Sequence, residues 1–189
     1  MPNSPPALLL IPAAGEARPD PDLTRQALAN SGLIGRRLAV AGFYVTGNGF
    51  LDHISFLGCS PDLRLDPGPD DVPGQPSFVH ISLIGLAGPL VFRQGFKARP
   101  PLCPACRAPA ADYQGGLATW LSDGFTGSYT CQHCGASISP VDLVWRDGVV
   151  IARDAIEILG IHPSEAVPTD QFMTYLKDYT GIAWRYVYV

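Results

Sequence analysis

The sequence predicts an α+β protein with a mostly antiparallel sheet, few helices and an inserted module that carries four cysteines. Three observations support this prediction. Extended, β-type segments follow one another along most of the chain, helix signals are confined to two segments near the ends, and four of the five cysteines form two CxxC pairs. Strands that are grouped in this way, rather than alternating with helices, favour an antiparallel sheet.

The composition is that of a globular protein. The 189 residues suffice for one domain, or for one domain with a small module. Because 47% of the residues are hydrophobic and 16% are charged, we expect a folded core rather than disorder. A formal net charge of −4 argues against a protein that binds polyanions with its whole surface.

The N-terminal segment predicts a strand followed by a helix. Its apolar core, ALLLI, has only five residues, is flanked by prolines and follows no basic residue. We therefore expect a strand of a cytoplasmic protein rather than a signal peptide, and no apolar run approaches the length of a membrane span. Asp20 then predicts a helix N-cap, with Pro21 in the first turn and Gly32 beyond the end.

The middle of the chain predicts four strands. They cover Leu38 to Val45, Phe50 to Leu57, Phe78 to Ile84 and Leu90 to Phe96. Gly47-Asn48-Gly49 lies between the first two and predicts a hairpin turn. Residues 60–76, rich in Pro, Asp and Gly, predict a loop without regular structure.

Two more strands are predicted after the cysteine pairs, in 143–145 and 149–152, around a turn at Asp147-Gly148. Residues 155–161 fit either a helix or a strand, and the alternation of Ile156 with Ile158 favours a strand.

The C-terminal segment predicts a helix and a closing strand. Thr169 is the expected N-cap, and Gly181 is expected to end the helix. Phe172, Leu176 and Tyr179 would lie on one side of it. The final AWRYVYV is β-branched and aromatic with period two, which is typical of a strand.

The strongest functional signal is the pair of motifs CPAC and CQHC. Their thiols belong to Cys103, Cys106, Cys131 and Cys134. One CxxC turn brings two thiolates to a metal ion, and two turns complete a tetrahedral site with sulfur at about 2.3 Å. The 24 residues between the pairs allow a hairpin to return the second turn to the first. The spacing therefore predicts one zinc ion per chain, held by four cysteines.

CPACR and CQHCG resemble the two knuckles of zinc-ribbon proteins, and the resemblance covers residues 101–140. Pro104 and Gly135 fit that pattern. We therefore expect a zinc ribbon inserted into one α+β domain formed by residues 1–100 and 141–189. Four protein ligands leave no open position, so the zinc is expected to be structural. Trp120 and Tyr129 are expected to anchor the Gly-rich loop between the knuckles.

Two other chemistries can use CxxC pairs. A redox pair would stand alone at the start of a helix in a βαβ unit, and neither pair has that setting. Iron held in rubredoxin-like knuckles remains an alternative to zinc. His133 lies inside the second knuckle. Because four thiolates already complete the coordination sphere, we expect this imidazole to point to solvent.

A basic stretch leads into the first knuckle. Residues 72–111 hold four of the 13 basic residues and none of the 17 acidic ones, so the stretch carries +4 and the remainder −8. Its cations are Arg93, Lys97, Arg99 and Arg107. Together with Phe92 and Phe96, they could form the basic face with stacking rings that weak nucleic-acid binding requires. The alternative is that the rings belong to the core and the cations to a solvated face.

A short repeat links two of the predicted strands: HISFLG begins at His53, and HISLIG begins at His80. On a strand, Ser55 would share the face of His53, and Ser82 would share that of His80. If the two strands were neighbours, these side chains could form a pocket for acid–base chemistry or a metal. The alternative is an ordinary polar sheet face.

We therefore expect a cytoplasmic zinc protein with a non-catalytic binding or adaptor role, whose zinc-stapled loop presents a surface to a protein partner. Weak nucleic-acid binding through the basic stretch is one alternative, and an enzyme with a pocket at His53 and His80 is another. No membrane contact is expected. Arg outnumbers Lys by 11 to 2, and Ala, Pro and Gly are abundant, which is typical of a GC-rich bacterial genome.

Overall fold

The computed structural model describes residues 4–13, 17–58, 63–84, 90–95, 98–146 and 148–189. Within these ranges four α-helices accompany twelve strands, and the strand pairings are antiparallel. The predicted α+β class with a mostly antiparallel sheet is therefore confirmed. Among the described helices, none is both long and apolar enough to cross a membrane.

The elements follow in chain order. The strands are β1 (Ala7–Pro12), β2 (Ile34–Arg37), β3 (Phe43–Thr46), β4 (Ile54–Phe56), β5 (His80–Ile84), β6 (Val91–Gln94), β7 (Tyr129–Thr130), β8 (Ser137–Ile138), β9 (Val149–Ala152), β10 (Ala155–Leu159), β11 (Ala166–Pro168) and β12 (Trp184–Tyr188). The helices are α1 (Pro21–Asn30), α2 (Phe50–His53), α3 (Tyr113–Ser122) and α4 (Asp170–Thr180), with a 3₁₀ turn at Pro140–Asp142.

The main sheet has the strand order β12-β1-β10-β5-β3-β2. β1 lies between β12 and β10, and five of its six residues are buried. Because both faces of the strand are covered, its sequence is a continuous apolar run rather than an alternating one. β10 is buried throughout as well, and within its apolar sequence it carries one acid, Glu157.

Two layers cover the main sheet. Leu8 and Leu10 face a core shared with α1 and α4. Leu9 and Ile11 face the opposite side, where they pack with Val150 of β9. Burying a Leu or Ile side chain contributes about 1.5–3 kcal/mol, so the alternating residues of β1 stabilise both layers. The two-stranded β6–β9 sheet thus lies on the face of the main sheet opposite to the helices.

The ends of α1 and α4 are set by local capping. Asp20 Oδ1 accepts hydrogen bonds from the N–H groups of residues 22 and 23 at 2.9 and 2.8 Å. Thr169 Oγ1 accepts from the N–H of Phe172 at 3.2 Å. α4 ends at Gly181, whose φ of +70° is left-handed. Both predicted helices, with their predicted caps, are confirmed.

The predicted hairpin turn at Gly47-Asn48-Gly49 is wrong. These residues connect β3 to α2, while the β2–β3 hairpin turns earlier, over residues 38–42. Because Gly47 and Gly49 have no Cβ, the chain here can pass close to the backbone that connects α1 to β2. The N–H of Gly47 donates to Leu33 O at 2.9 Å, and a Cβ on Gly47 or Gly49 would overlap carbonyl oxygens of the α1–β2 connection.

The other predicted strands are confirmed in part. β5, β6, β9, β10 and the closing β12 lie where strands were predicted, and residues 63–76 have no helix or strand. Residues 50–57, predicted as one strand, begin instead as α2 and continue as β4. The strand predicted at 38–45 covers the β2–β3 turn and most of β3, whereas β2 was not predicted, and residues 143–145 form only a bridge at Val144. β11 and α3 were not predicted; α3 lies in the segment between the knuckles, which was expected to be a loop.

Candidate metal centre

The four cysteine thiols converge on one point. Their Sγ atoms all lie within 4.8 Å of one another. Cys103 Sγ is 3.8 Å from Cys134 Sγ, and Cys106 Sγ is 3.8 Å from Cys131 Sγ. Four sulfurs at about 2.3 Å from a zinc ion would lie about 3.8 Å apart at the corners of a tetrahedron. The thiols are therefore placed so that they could hold a metal ion.

Both cysteine turns share one hydrogen-bond pattern. In the first, the N–H of Arg107 donates to Cys103 O at 2.9 Å, and in the second the N–H of Gly135 donates to Cys131 O at 2.8 Å. The first cysteine of each turn also donates its own N–H to the carbonyl five residues ahead, at 2.9 Å in both cases. Each turn therefore holds its two thiols on the same side of a short loop.

Antiparallel pairings fix the base of each turn. Leu102, just before the first turn, forms bridges to Pro109 and to Val144. β7 and β8 flank the second turn and pair with each other, with Tyr129 opposite Ile138. Backbone hydrogen bonds thus help to position both turns.

A hydrophobic cluster lies beneath the thiols. Its buried members are Cys103, Ala110, Tyr113, Leu117, Trp120, Phe125, Tyr129, Cys131, Ile138 and Leu143. The rings of Trp120 and Tyr129 meet edge to face at 6.0 Å, so both predicted anchors are packed as expected. Phe92 of β6 and Ile151 of β9 pack against this cluster, which therefore extends beyond residues 101–140. Phe92 is part of a core, as the alternative interpretation of the basic stretch proposes.

The two thiols of the first cysteine turn have pKa values shifted in opposite directions. Hydrogen bonding from the backbone of Cys106 is the main cause that lowers the pKa of Cys103 to about 7. At Cys106 the backbone of Ala108 also acts to lower the pKa, but burial and the neighbouring thiols outweigh it and raise that pKa to about 12. A divalent cation would offset the repulsion between thiolates, and its binding would release protons.

The donor set restricts the class of metal. Sulfur ligands in a tetrahedral arrangement suit zinc or iron, and four of them leave no coordination position for water. Cys103 and Cys131 are buried, whereas Cys134 is exposed. His133 is exposed, and within the described part of the chain the metal-ligating group consists of the four cysteines.

The four cations of the basic stretch differ in their surroundings. Arg93 Nε is 2.8 Å from Glu157 Oε1, and the side chain of this acid is 3% exposed. Arg99 and Arg107 are exposed, and neither forms an ion pair with another described residue. Lys97 lies outside the described residues. One of the four charges is therefore already neutralised inside the protein.

His53 ends α2 rather than occupying a strand. Its Nε2 is 2.8 Å from Ser31 O, and its ring stacks on Phe172 with centroids 4.8 Å apart. Ser55, on β4, is exposed. His53, in the first copy of the repeat, thus connects α2 to the end of α1 and to α4.

His80 is fully buried on β5. The N–H of Gly74 donates to its Nε2 at 2.8 Å, and its Nδ1 lies 2.9 Å from Phe78 O. Its ring also contacts the rings of Phe43 and Phe78. Burial lowers the pKa of His80, although the Phe78 carbonyl and the charge of Glu157 act in the opposite direction. Both ring nitrogens therefore already have partners within the fold.

The two histidine segments are not brought together by strand pairing. β4 pairs with β11 in a separate sheet, whereas β5 lies between β10 and β3. Ser82, beside His80 on β5, is buried opposite Glu157. A shared pocket was predicted only if the two strands were neighbours. β4 and β5 do not pair with each other, so this condition is not met.

Two buried carboxylates were missed in the sequence. Asp154 and Glu157 are 3% and 2% exposed, and they form ion pairs with Arg18 and Arg93 respectively. The signal at Glu157 was an acid inside the otherwise apolar segment AIEIL. Because charged residues are almost never buried without a partner, that position could have been recognised as one that requires a cation.

Comparisons of the chain with protein-family models, with curated proteins and with solved structures give no match. We therefore infer the chemistry of the protein from the geometry of its own side chains.

Proposed function

We propose that Cys103, Cys106, Cys131 and Cys134 hold one zinc ion in a zinc ribbon, and that this ion is a structural staple. The observation that carries the proposal is the convergence of the four thiols within 4.8 Å. Structural zinc sites are closed by four protein ligands, whereas catalytic sites keep a position for water. A complete set of four thiolates fits a structural role.

The segment around the thiols supports this role because it has little regular structure. β7 and β8 contain two residues each, and α3 includes the adjacent glycines Gly115 and Gly116. Glycine in a helix interior costs about 1 kcal/mol relative to alanine. Structural zinc binds finger peptides with about 10–16 kcal/mol, which is enough to stabilise such a segment.

The biological role that we propose is that of a non-catalytic binding or adaptor protein. The tips of the two cysteine turns support it. Pro104 and Ala105 in the first turn, and Gln132 and His133 in the second, are exposed and include no Asp, Glu, Lys or Arg. Charged residues are depleted at the centres of protein interfaces, so these four tip residues suit the centre of an interface, with the exposed Arg107 at its edge.

Metal analysis of the reduced protein tests the staple. We expect about one zinc per chain, and a Cys131→Ser variant that loses the metal. Cys59→Ser is the matched control, because Cys59 is the cysteine outside the two motifs and its loss should leave the metal content unchanged. Iron in place of zinc, or a metal content that Cys131→Ser leaves unchanged, would contradict the proposal.

Native mass spectrometry of the protein isolated gently at low salt from its own host tests the adaptor role. We expect the zinc-loaded chain together with a bound protein. A chain that carries zinc but never a protein partner would contradict the adaptor role while leaving the staple intact.

A second candidate function is weak nucleic-acid binding next to the first cysteine turn. It is favoured by one observation: Arg99 and Arg107 are exposed and have no acidic partner among the described residues. Two such charges would give a weak, salt-sensitive contact. Fluorescence anisotropy with labelled single-stranded DNA tests it. Binding should weaken with salt and in Arg99→Gln/Arg107→Gln, but not in the control Arg37→Gln.

A further inference from the structure

Three arginines from distant parts of the chain surround one cavity, here called the arginine cavity. Arg18 precedes α1, Arg153 lies in the turn between β9 and β10, and Arg185 lies on β12. The cavity has a volume of about 290 Å³. It lies at the β12 edge of the main sheet, where Arg185 is paired with Ile11 of β1.

One of the arginines is held in place by a buried acid. Arg18 Nε and Nη2 donate to the two carboxylate oxygens of Asp154 at 3.0 and 2.9 Å. The Asp154 side chain is 4% exposed, whereas that of Arg18 is 51% exposed. A two-point guanidinium–carboxylate contact fixes the plane of the guanidinium group. Arg18 is therefore a rigid part of the cavity wall.

The other two arginines leave a surplus of positive charge. Arg153 and Arg185 are exposed, and no ion pair to either is formed by a described residue. Asp154 is the acidic residue that lines the cavity within the described part of the chain. Among the described lining residues the formal charges therefore sum to +2, in a protein whose net charge is −4. Clefts lined by one sign of charge concentrate ions of the opposite sign.

The rest of the lining is apolar. Ile11 and Pro12 of β1, with Ile151 and Ala152 of β9, form the wall that accompanies the arginines. An inorganic ion would leave this wall uncovered, whereas a small organic group would bury it. A ligand that suits both walls therefore has an anionic end and an apolar end.

We propose that the arginine cavity binds a small organic phosphate, with the phosphate on the arginines and the organic group against Pro12 and Ile151, which are half-buried. Guanidinium groups match phosphate oxygens with paired hydrogen bonds, and a dianion balances the surplus charge of +2. The volume is at the lower end of the range for ligand pockets, about 300 Å³, so the ligand is a small phosphate monoester. This site uses none of the cysteines.

Isothermal titration calorimetry with phenyl phosphate as the probe tests the proposal. Inorganic phosphate lacks the apolar end and phenol lacks the charge, so we expect phenyl phosphate to bind more tightly than either. Arg153→Ala and Arg185→Ala should each weaken binding of phenyl phosphate by about tenfold or more, because a charged hydrogen bond is lost. Arg37→Ala, which removes an exposed arginine on β2, is the matched control and should change the affinity less than twofold.

Arg18 is not used as a variant, because its removal would leave the buried carboxylate of Asp154 without its partner and could unfold the protein. Several results would overturn the proposal. One is a failure of phenyl phosphate to saturate the wild-type protein, and another is an Arg37→Ala variant whose binding is weakened as much as that of Arg153→Ala. Equal affinity for inorganic phosphate and phenyl phosphate would overturn the assignment of an organic ligand. The measurement is made on the metal-loaded full chain.

Discussion

Arg107 and Gly135 occupy the same position in the two cysteine turns, and both have left-handed backbone angles, with φ of +62° and +73°. Each directly follows the second cysteine of its motif, and each donates its N–H to the carbonyl of the first. A residue with a Cβ pays about 1–2 kcal/mol in this conformation, whereas glycine adopts it readily. The first turn therefore contains backbone strain that the second avoids.

Replacing Arg107 by glycine should stabilise the protein. The substitution removes the left-handed strain, and the greater freedom of glycine in the unfolded chain offsets part of that gain. For Arg107→Gly we expect the free energy of unfolding to rise by about 0.5–1 kcal/mol. Urea unfolding of the metal-loaded protein measures this change.

The reverse substitution in the second turn is the control. Gly135→Ala should lower the free energy of unfolding by about 1 kcal/mol. A Cβ at Gly135 would meet no atom within 4 Å, so the loss of stability would come from the left-handed backbone angle alone and not from a steric clash. A neutral Gly135→Ala variant, or a destabilised Arg107→Gly variant, would contradict the assignment of strain.

Breaking the Arg93–Glu157 ion pair should destabilise the protein strongly. Glu157 is 3% exposed and Arg93 is 28% exposed, so Arg93→Met leaves a buried carboxylate without its cation. Removing one partner of a buried pair costs about 3–5 kcal/mol, and the partial exposure of Arg93 places our expectation near the lower value. Chemical unfolding measures the change.

Two further variants distinguish a buried charge from a general effect of substitution. Arg93→Met/Glu157→Leu should recover most of the loss, because a hydrophobic pair can replace a buried ion pair. Arg25→Met breaks the exposed pair with Asp22 and should cost at most about 0.5 kcal/mol. The prediction fails if Arg93→Met is no more harmful than Arg25→Met.

Removing the metal should loosen the cluster beneath the thiols while the main sheet stays folded. The cluster around Trp120 includes two of the cysteines, whereas the core between the main sheet and its two helices includes none. A chelator should therefore red-shift the fluorescence of Trp120 and Trp145. Trp184 belongs to the main core. In a Trp184→Phe background the fluorescence therefore comes only from Trp120 and Trp145, which belong to or pack against the cluster beneath the thiols. Unchanged fluorescence, or loss of the whole far-UV circular dichroism signal, would argue against a local staple.

Local signals in the sequence were sufficient for the helix ends and for the convergence of the four cysteines. Asp20 and Thr169 cap their helices through neighbouring N–H groups, and a CxxC motif fixes its own turn, so a few residues determine each feature. Gly116 shows the limit of such signals. A Cβ there would lie 2.8 Å from the ring of Trp120, so this glycine makes room for packing inside α3 rather than marking a loop.

Long-range pairing was not predictable in this way. Strand order depends on contacts between distant segments, and several orders satisfy the same alternation of apolar residues. The repeat of HIS at residues 53 and 80 illustrates this limit, because the first copy spans the end of α2 and the start of β4, whereas the second lies inside the main sheet. The ion pairs of Asp154 and Glu157 span 136 and 64 residues, which sequence spacing cannot reveal.

His80 should make stability depend on pH below neutrality. Gly74 donates to Nε2, so Nδ1 carries the proton that is donated to Phe78 O, and the buried ring is neutral. Burial lowers the pKa of His80 below its ordinary value of 6.5. The unfolded chain therefore takes up a proton below that value before the folded protein does. Stability is full above about pH 6.5 and falls as the pH drops towards the lowered pKa.

Replacing His80 by glutamine should flatten this part of the profile. Because the unfolded chain binds a proton more readily than the folded protein in this range, the wild-type protein should lose more stability between pH 7 and 5.5 than His80→Gln does. Urea unfolding with excess zinc measures both slopes, because the excess keeps the metal centre loaded while His80 titrates. His133→Gln removes an exposed imidazole and should retain the wild-type slope. Equal slopes for wild type and His80→Gln would show that the buried ring does not resist protonation.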